Sequence, residues 1–479
     1  MLSASSTPIV SGGPKRLIAQ FVVVAAFAVL FNASPASAMK QSTSENQMMQ
    51  VEAALFAAVP DAKGPGAVVL IARGENVLSV TARGVADVTW SIPLTPSQTF
   101  AIASVTKTFT AAAVMKLTEE GRLSLDDNLS TYVPEFGDTS GITIRELLSH
   151  TAGVSDRAIL SEGPAGFLRQ DISLADLVTQ IATQPSDFKH GRQQRYSNAG
   201  YILLGAVLEK VTGKTWDAAI RDLVIAPAGL SETDYAPVST IIPGRVAGYT
   251  NDTADRTLAN AEYISLSVPA SAGGMVSTAG DLHRWMRALV NGEIVATENF
   301  RMMTTPVIPV EGPSASPYGL GFYVWNIRGE AVIGHTGQIN GFTSMLAYLP
   351  REDATIVVLA NNDGFDAQTF GRRLAAIMTG SPYEVVKPDA VSSEDLEAFA
   401  GSYGEAPGAR IIVVRDDQLF ARRGASREIR MAVSAKGNLH YNPDELTFFT
   451  PIRDASGKVV ALDYYARGEG PAVRLARTD

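Results

Sequence analysis

Strand patterning occupies both ends of one long stretch of the chain and is missing from its middle, which binds two distant parts of the polypeptide into a single sheet. Residues 66–72 (GAVVLIA) and 77–82 (VLSVTA) are β-branched runs with Arg73-Gly74-Glu75-Asn76 between them, the pattern of a hairpin. From Thr108 to about Asn291 the periodicity is helical. It covers 109–120 before Gly121, 143–148, 198–211 before Gly213, and 278–290 before Asn291-Gly292. Strand signals return at 318–324, 331–333, 343–348 and 354–359, and an amphipathic stretch over 367–378 reads as a closing helix. The hairpin must wait for strands some 240 residues later before its sheet is complete.

A proline-bearing, non-periodic stretch at 381–393 (SPYEVVKPDAVSS) marks a linker. Beyond it, over 394–479, short β runs at 411–414, 418–422, 447–452 and 459–465 alternate with turns at Asp416-Asp417 and Ala455-Ser456-Gly457-Lys458. This predicts a small antiparallel all-β domain, a sandwich or open barrel. The main domain is then 39–380. Ahead of it, 1–38 has the layout of a cleaved export signal: Lys15-Arg16, an apolar run of fifteen at 17–31 interrupted only by Gln20, and Ala36-Ser37-Ala38 in the small-residue pattern of a signal-peptidase site. At about 1.5 Å per residue that run is shorter than a hydrocarbon core of about 30 Å. No stable membrane span is expected after cleavage, and the expected location is periplasmic or secreted.

Charge and composition narrow the chemistry. The chain has 40 Lys+Arg against 49 Asp+Glu, a formal charge of -9, and no basic excess with which to neutralise a phosphate backbone, so nucleic acid is not an expected partner. Small molecules or peptides are. Cysteine is absent, which removes thiolate nucleophiles, disulfides and Cys-bearing metal sites. The five histidines show no H-E-x-x-H spacing and no phosphate loop or dinucleotide fingerprint is present, so neither metal nor cofactor is expected.

Three short motifs carry the chemistry. Ser104-Val105-Thr106-Lys107 places a hydroxyl and an amine one helical turn apart, just ahead of the 109–120 helix. Tyr196-Ser197-Asn198 opens another helix, and His335-Thr336-Gly337 is expected at the end of a strand. A competing Tyr249-Thr250-Asn251 lacks the Gly200-Tyr201-Ile202-Leu203-Leu204-Gly205 helix that follows Tyr196. A serine nucleophile needs a group to take its proton. A lysine at its ordinary pKa of about 10.4 is useless as a base near neutrality, so Lys107 is either depressed by burial or stays charged and activates Tyr196. The pair is carried as coupled, with either member as base.

In order and spacing these motifs resemble the serine β-lactamase and penicillin-binding-protein superfamily, in its class C-like branch, over about residues 67–378. The resemblance implies an α/β (α+β) penicillin-recognising fold, an antiparallel sheet flanked by helices plus a helical subdomain, and a lipocalin-like C-terminal domain. It implies catalytic Ser104, Lys107 and Tyr196, with Asn198 hydrogen-bonding substrate or Lys107. The oxyanion would meet the N–H groups of Ser104 and Gln338. Thr336 would add a hydroxyl, and Gly337 would let a peptide-like substrate lie along the strand edge. His335 departs from the lysine usual in β-lactamases, which shifts the expected substrate from carboxylate-bearing compounds toward esters, amides or amino-terminal D-residues. His150, in Ser149-His150-Thr151-Ala152-Gly153, is expected to be structural. The implied activity is a serine hydrolase of small ester or amide bonds working through an acyl-enzyme. A class C-like β-lactamase or DD-carboxypeptidase is the alternative, and a catalytically silent ligand sensor the rival of another class.

Overall fold

The structure, a computed structural model, describes residues 35–136, 141–160, 167–235, 237, 240–251, 257–308, 316–384, 386, 393–441 and 446–479. Most of the expected export segment, 1–34, lies outside the described residues. Two units divide the chain, Met1–Glu45 and Asn46–Asp479. A helix not anticipated from the sequence, Pro35–Ala58, runs through that boundary. Among the described residues no helix is long and apolar enough to cross a membrane.

The expected split sheet forms in the second unit. Ala67–Arg73 and Asn76–Arg83 make the hairpin, and Ala67–Arg73 pairs along its other edge with Ala354–Ala360, from Ala67 opposite Ala360 to Arg73 opposite Ala354. The remaining strands continue in antiparallel order through Phe342–Leu349 and Glu330–Ile339 to Tyr323–Ile327, six in all. Alternate residues of the central strands enter separate cores. Val68 and Leu70 join Val357 and Leu359 on one face, while Val69 and Ile71 join Ile356 and Val358 on the other. A strand buried on both faces reads as an unbroken apolar run, which is why 66–72 shows no alternation.

Helices cover each face. Ala367–Met378, at the predicted bounds, contributes Phe370 and Leu374 to one core, together with Val51 and Leu55 from Pro35–Ala58. Gln47 adds side-chain hydrogen bonds to the carbonyls of Ile377 and Met378. The other face meets Thr106–Glu119 and Ala279–Val290, joined where Trp285 stacks on Phe109 at 4.3 Å and donates its indole N–H to Thr108 Oγ1. Asn198–Thr212 is capped by Ser197, whose hydroxyl accepts the Gly200 N–H, and ends on Gly213 in the left-handed region.

Two strand expectations are corrected. Residues 318–322 turn rather than extend, with φ of +92° at Gly321 and a Gly319 N–H to Phe322 carbonyl bond, so the strand begins only at Tyr323. Glu330–Ile339 runs six residues beyond the expected 331–333, so His335-Thr336-Gly337 lies within a strand and not at its end. The polar triplet breaks the apolar pattern, but seven consecutive pairings with Phe342–Leu349 hold it extended.

The C-terminal domain is an eight-stranded antiparallel sheet in sequence order from Gly401–Tyr403 to Val473–Ala476. Its first and last strands are tied by the Tyr403–Arg477 bridge and by N–H bonds from Gly404 to Ala476 and Thr478 to Ser402. The sheet therefore curls into a nearly closed barrel, as a lipocalin-like domain does, and a sandwich is ruled out. Closure removes the exposed edges that an open sheet would present. Four strands escaped the sequence reading: Gly401–Tyr403, Ile429–Val433, Leu439–Tyr441 and Val473–Ala476. They are only three to five residues long, too short for a period to show, and the barrel supplies their order.

The barrel docks on the main domain through Glu469. Its carboxylate accepts from the Arg372 guanidinium at 3.3 Å, the Arg328 N–H at 2.9 Å and the Tyr383 hydroxyl. With side-chain exposures of 4% for Arg372 and 11% for Glu469, the pair is shielded from water. Glu469→Ala leaves the guanidinium buried without its counter-charge and is expected to cost about 3–5 kcal/mol, read as a lowered midpoint in urea unfolding.

Candidate active site

Ser104 lies in a single 3-10 turn, Ala103–Val105, immediately before the helix Thr106–Glu119. Ala103 has φ of +46°, a left-handed conformation that disfavours side chains and is kept only where surroundings impose it. Three contacts impose it. Ile102 donates its N–H to Met275 and accepts from the Ser344 hydroxyl at 2.9 Å, and Gly337 closes on the turn from the sheet. A Cβ at Gly337 would stand 2.2 Å from the Ile102 carbonyl oxygen and 3.1 Å from the Ala103 Cβ. The side-chain position of Gly337 thus faces the serine turn. Its glycine is required by the approach of sheet to turn, a role the sequence reading did not anticipate.

Lys107 occupies the first turn of that helix with its side chain wholly buried. Its Nζ lies 3.1 Å from Ser104 Oγ, 2.7 Å from Asn198 Oδ1 and 2.7 Å from the Ala272 carbonyl. The last two can only accept. A hydroxyl can also donate. A neutral amine therefore fits: two N–H groups go to Asn198 and Ala272, and the lone pair faces the serine hydroxyl. Burial pushes the lysine down to about 7, opposed by the charge of Asp156. Segment 270–275 is brought to the amine by Thr106 and Thr110, whose hydroxyls bond the Met275 N–H and the Ser271 carbonyl.

Tyr196 lies beside the amine. Lys107 Nζ lies 4.8 Å from the centre of its ring. Burial holds the phenol well above its usual pKa, with Tyr323 adding to the rise and a hydrogen bond with Ser104 opposing it. The Tyr196 ring packs 4.4 Å from that of His150, whose Nδ1 accepts the Ser197 N–H. Burial, then the nearness of Lys107, keeps His150 neutral, and its place behind the tyrosine agrees with a structural role. The competing Tyr249 lies in a strand, Tyr249–Asn251, where its hydroxyl accepts the Val88 N–H.

His335, 1% exposed, has both ring nitrogens engaged. Nδ1 donates to the Thr336 carbonyl at 2.6 Å, which leaves Nε2 to accept from the Tyr318 hydroxyl at 3.0 Å. Burial, and then Lys107, pushes it down to about 3. The neutral imidazole expected from the sequence is present, bound to its neighbours. Tyr323–Ile327 pairs only as far as Gly334, so among the described residues no strand pairs with the outer edge of His335–Gln338. Ser104, Tyr196, Asn198, His335, Thr336, Gly337 and Gln338 all line one cavity of about 580 Å³.

The sequence reading missed Asp156, Ala272, Tyr318 and Tyr323. Asp156 accepts from the N–H groups of Asn198 (3.0 Å) and Ala199 (2.8 Å) and from the Ser197 hydroxyl (2.9 Å). It both caps the helix and turns the Asn198 amide toward Lys107. Its one available signal was its place three residues after the Ser149–Gly153 stretch. A backbone acceptor such as Ala272 has no side-chain signature.

The Beta-lactamase family model matches residues 47–377, and the chain belongs to that family, within the serine β-lactamase and penicillin-binding-protein superfamily. Protein flp of Staphylococcus aureus (strain MW2) is 29% identical over 307 residues, 62% of this chain and 59% of that protein. The chain thus spans about 59% of the length of the curated relatives it matches first. A solved D-stereospecific amidohydrolase from Streptomyces sp. is 27% identical with a TM-score of 0.60, covering 69% of this chain and 98% of that one. The octameric penicillin-binding protein homologue from Pyrococcus abyssi is 23% identical with a TM-score of 0.65, over 90% of this chain and 100% of that one. This last likeness is one of fold alone.

Asp156→Ala is expected to cost about 1 kcal/mol through the lost cap and to let Lys107 fall further, since the carboxylate raises its pKa. The acid limb of the pH-rate profile then moves to lower pH. Asp156→Asn keeps a capping oxygen and should restore stability while leaving the pH shift in place.

Proposed function

We propose that this protein is a serine hydrolase that passes an acyl group from a small ester or amide to Ser104 and then to water. The observation that carries the reading is the amine of Lys107, held 3.1 Å from Ser104 Oγ and depressed to about 7. A silent binder has no need of a buried lysine poised to change charge near neutrality. The opposite displacements of Lys107 and Tyr196 also support lysine as the base, with a phenol beside an amine that is neutral above about pH 7.

Lys107 takes the serine proton as Oγ adds to the carbonyl carbon. The oxyanion so formed is received by the N–H groups of Ser104 and Gln338. Tyr196 gives its proton to the departing oxygen or nitrogen and regains one from the Lys107 ammonium. Water then repeats the sequence in reverse against the ester on Ser104. Asn198 keeps the amine aimed, Thr336 offers its hydroxyl to the substrate, and the unpaired edge of the strand receives substrate backbone. Peptides and amides of D-amino acids are favoured among amide substrates by the likeness to the D-stereospecific amidohydrolase.

A fluorophosphonate probe is expected to label the wild type and spare Ser104→Ala; equal labelling removes Ser104 from the mechanism. The wild-type kcat/KM should rise with pH to a plateau above about 7, following the neutral fraction of Lys107, and Lys107→Ala should lose about 10²–10⁴-fold. A profile flat from pH 5 to 9 contradicts lysine as base. We further infer export, from the apolar run at 17–31 and the small residues at 36–38. The intact mass of protein made in a secreting host should lack residues 1–38, and a mass that retains them contradicts cleavage.

A further inference from the structure

Ser104 stands where two cavities meet. The first, of about 580 Å³, runs past Tyr196 and Thr336 to Asp363 and Asp366. The second, of about 270 Å³, is walled by Ile159, Leu168, Ile264, Val268 and Ile339. Ser104, Asn198 and Gln338 line both. An ester or amide with its carbonyl at Oγ must send its acyl chain into one of them and its leaving group into the other. Tyr196 decides which. It lines the first cavity and not the second, and the leaving group must collect its proton there.

Resting on the hydrolase reading above, we propose that the apolar cavity is the acyl subsite, taking an aliphatic or aromatic group, and that the polar cavity takes a leaving group that is neutral or cationic and bears no carboxylate. At about 30 Å³ per water-sized unit, 270 Å³ has room for about nine heavy atoms, enough for hexanoyl or phenylacetyl. In the polar cavity the lining, among the described residues, includes Asp363 and Asp366 and no lysine or arginine. Each carboxylate holds backbone through one oxygen, Asp363 taking the Gly341 N–H and Asp366 the Thr369 N–H, both at 2.8 Å. His335, the residue in the place of the usual lysine, is neutral with both nitrogens engaged. A leaving group carrying a carboxylate meets two like charges there and no cation among the described lining residues, although the positive field of Arg467 reaches the wall at Tyr323.

The test uses purified protein and two substrate sets. With p-nitrophenol as leaving group, hexanoate is expected to exceed acetate at least tenfold in kcat/KM, four methylenes being buried. With hexanoyl as acyl group, the choline and propyl esters are expected to exceed the glycolate ester at least tenfold. Ile264→Trp, which fills the apolar cavity, should narrow the hexanoate-to-acetate ratio. Asp363→Asn with Asp366→Asn keeps both backbone acceptors and should narrow the choline-to-glycolate ratio at least threefold. Equal rates for hexanoate and acetate overturn the acyl subsite, and equal rates for choline and glycolate esters overturn the leaving-group rule, whatever the variants do. Turnover that survives in Ser104→Ala defeats the hydrolase reading itself, whereas Ser104-dependent turnover without either preference defeats only this inference.

Discussion

An amine buried with no counter-ion in contact is the constraint around which the site is built. Placing an ammonium in such surroundings is expensive, and the protein answers by making the neutral form acceptable. Two acceptor-only oxygens, from Asn198 and Ala272, use the N–H groups of Lys107, and the third direction is occupied by a hydroxyl that can donate. Each partner comes from a different element. The serine comes from a strained turn, the amide from the start of Asn198–Thr212, and the carbonyl from the segment that Thr106 and Thr110 hold against the helix. The rest of the main domain can be read as what keeps these three in register.

Around the amine the protein places groups that hold no charge. His150 and His335 are kept neutral by burial, and Tyr196, Tyr201 and Tyr318 are kept as phenols for the same reason. Tyr318 links the sheet to this layer by donating to His335, and Tyr323 stacks parallel to Tyr196 with ring centres 6.3 Å apart. Asp156 is the half-buried exception. Because it bonds the helix terminus, it tempers the lysine from behind Asn198 without contacting it.

At Gly337 the sheet meets the serine turn with no side chain of its own, and beside it the Ser344 hydroxyl bonds the Ile102 carbonyl. Gly337 permits that approach, and the unpaired edge of its strand is left facing the cavity. The pairing of the edge strand Tyr323–Ile327 stops at Gly334 and so, among the described residues, leaves His335–Gln338 of its neighbour without a partner strand on that side. That strand is also where the barrel docks: Glu469 binds the Arg328 N–H just past Ile327, and Arg372 bonds the Asn326 carbonyl as well as Glu469. The second domain thus braces the strand whose first residue, Tyr323, lines the cavity.

What could be read from the sequence was local or carried by short motifs. The split sheet followed from two β-branched runs, the first of them buried, and their distant partners, and the closing helix 367–378 followed from its own amphipathic period. Ser104, Lys107, Tyr196 and Asn198 were legible because a hydroxyl and an amine one turn apart, and a phenol and an amide opening a helix, are spacings that chemistry requires. The sequence left open whether lysine or tyrosine is the base, since that choice depends on how much water each group loses, a sum over neighbours from many segments. The placement of Asp156 and Ala272, the close approach at Gly337, the length of the strand holding His335 and the closure of the barrel were decided by tertiary structure. In each case the cause is a contact between residues far apart in the chain, and local pattern carries no record of such contacts.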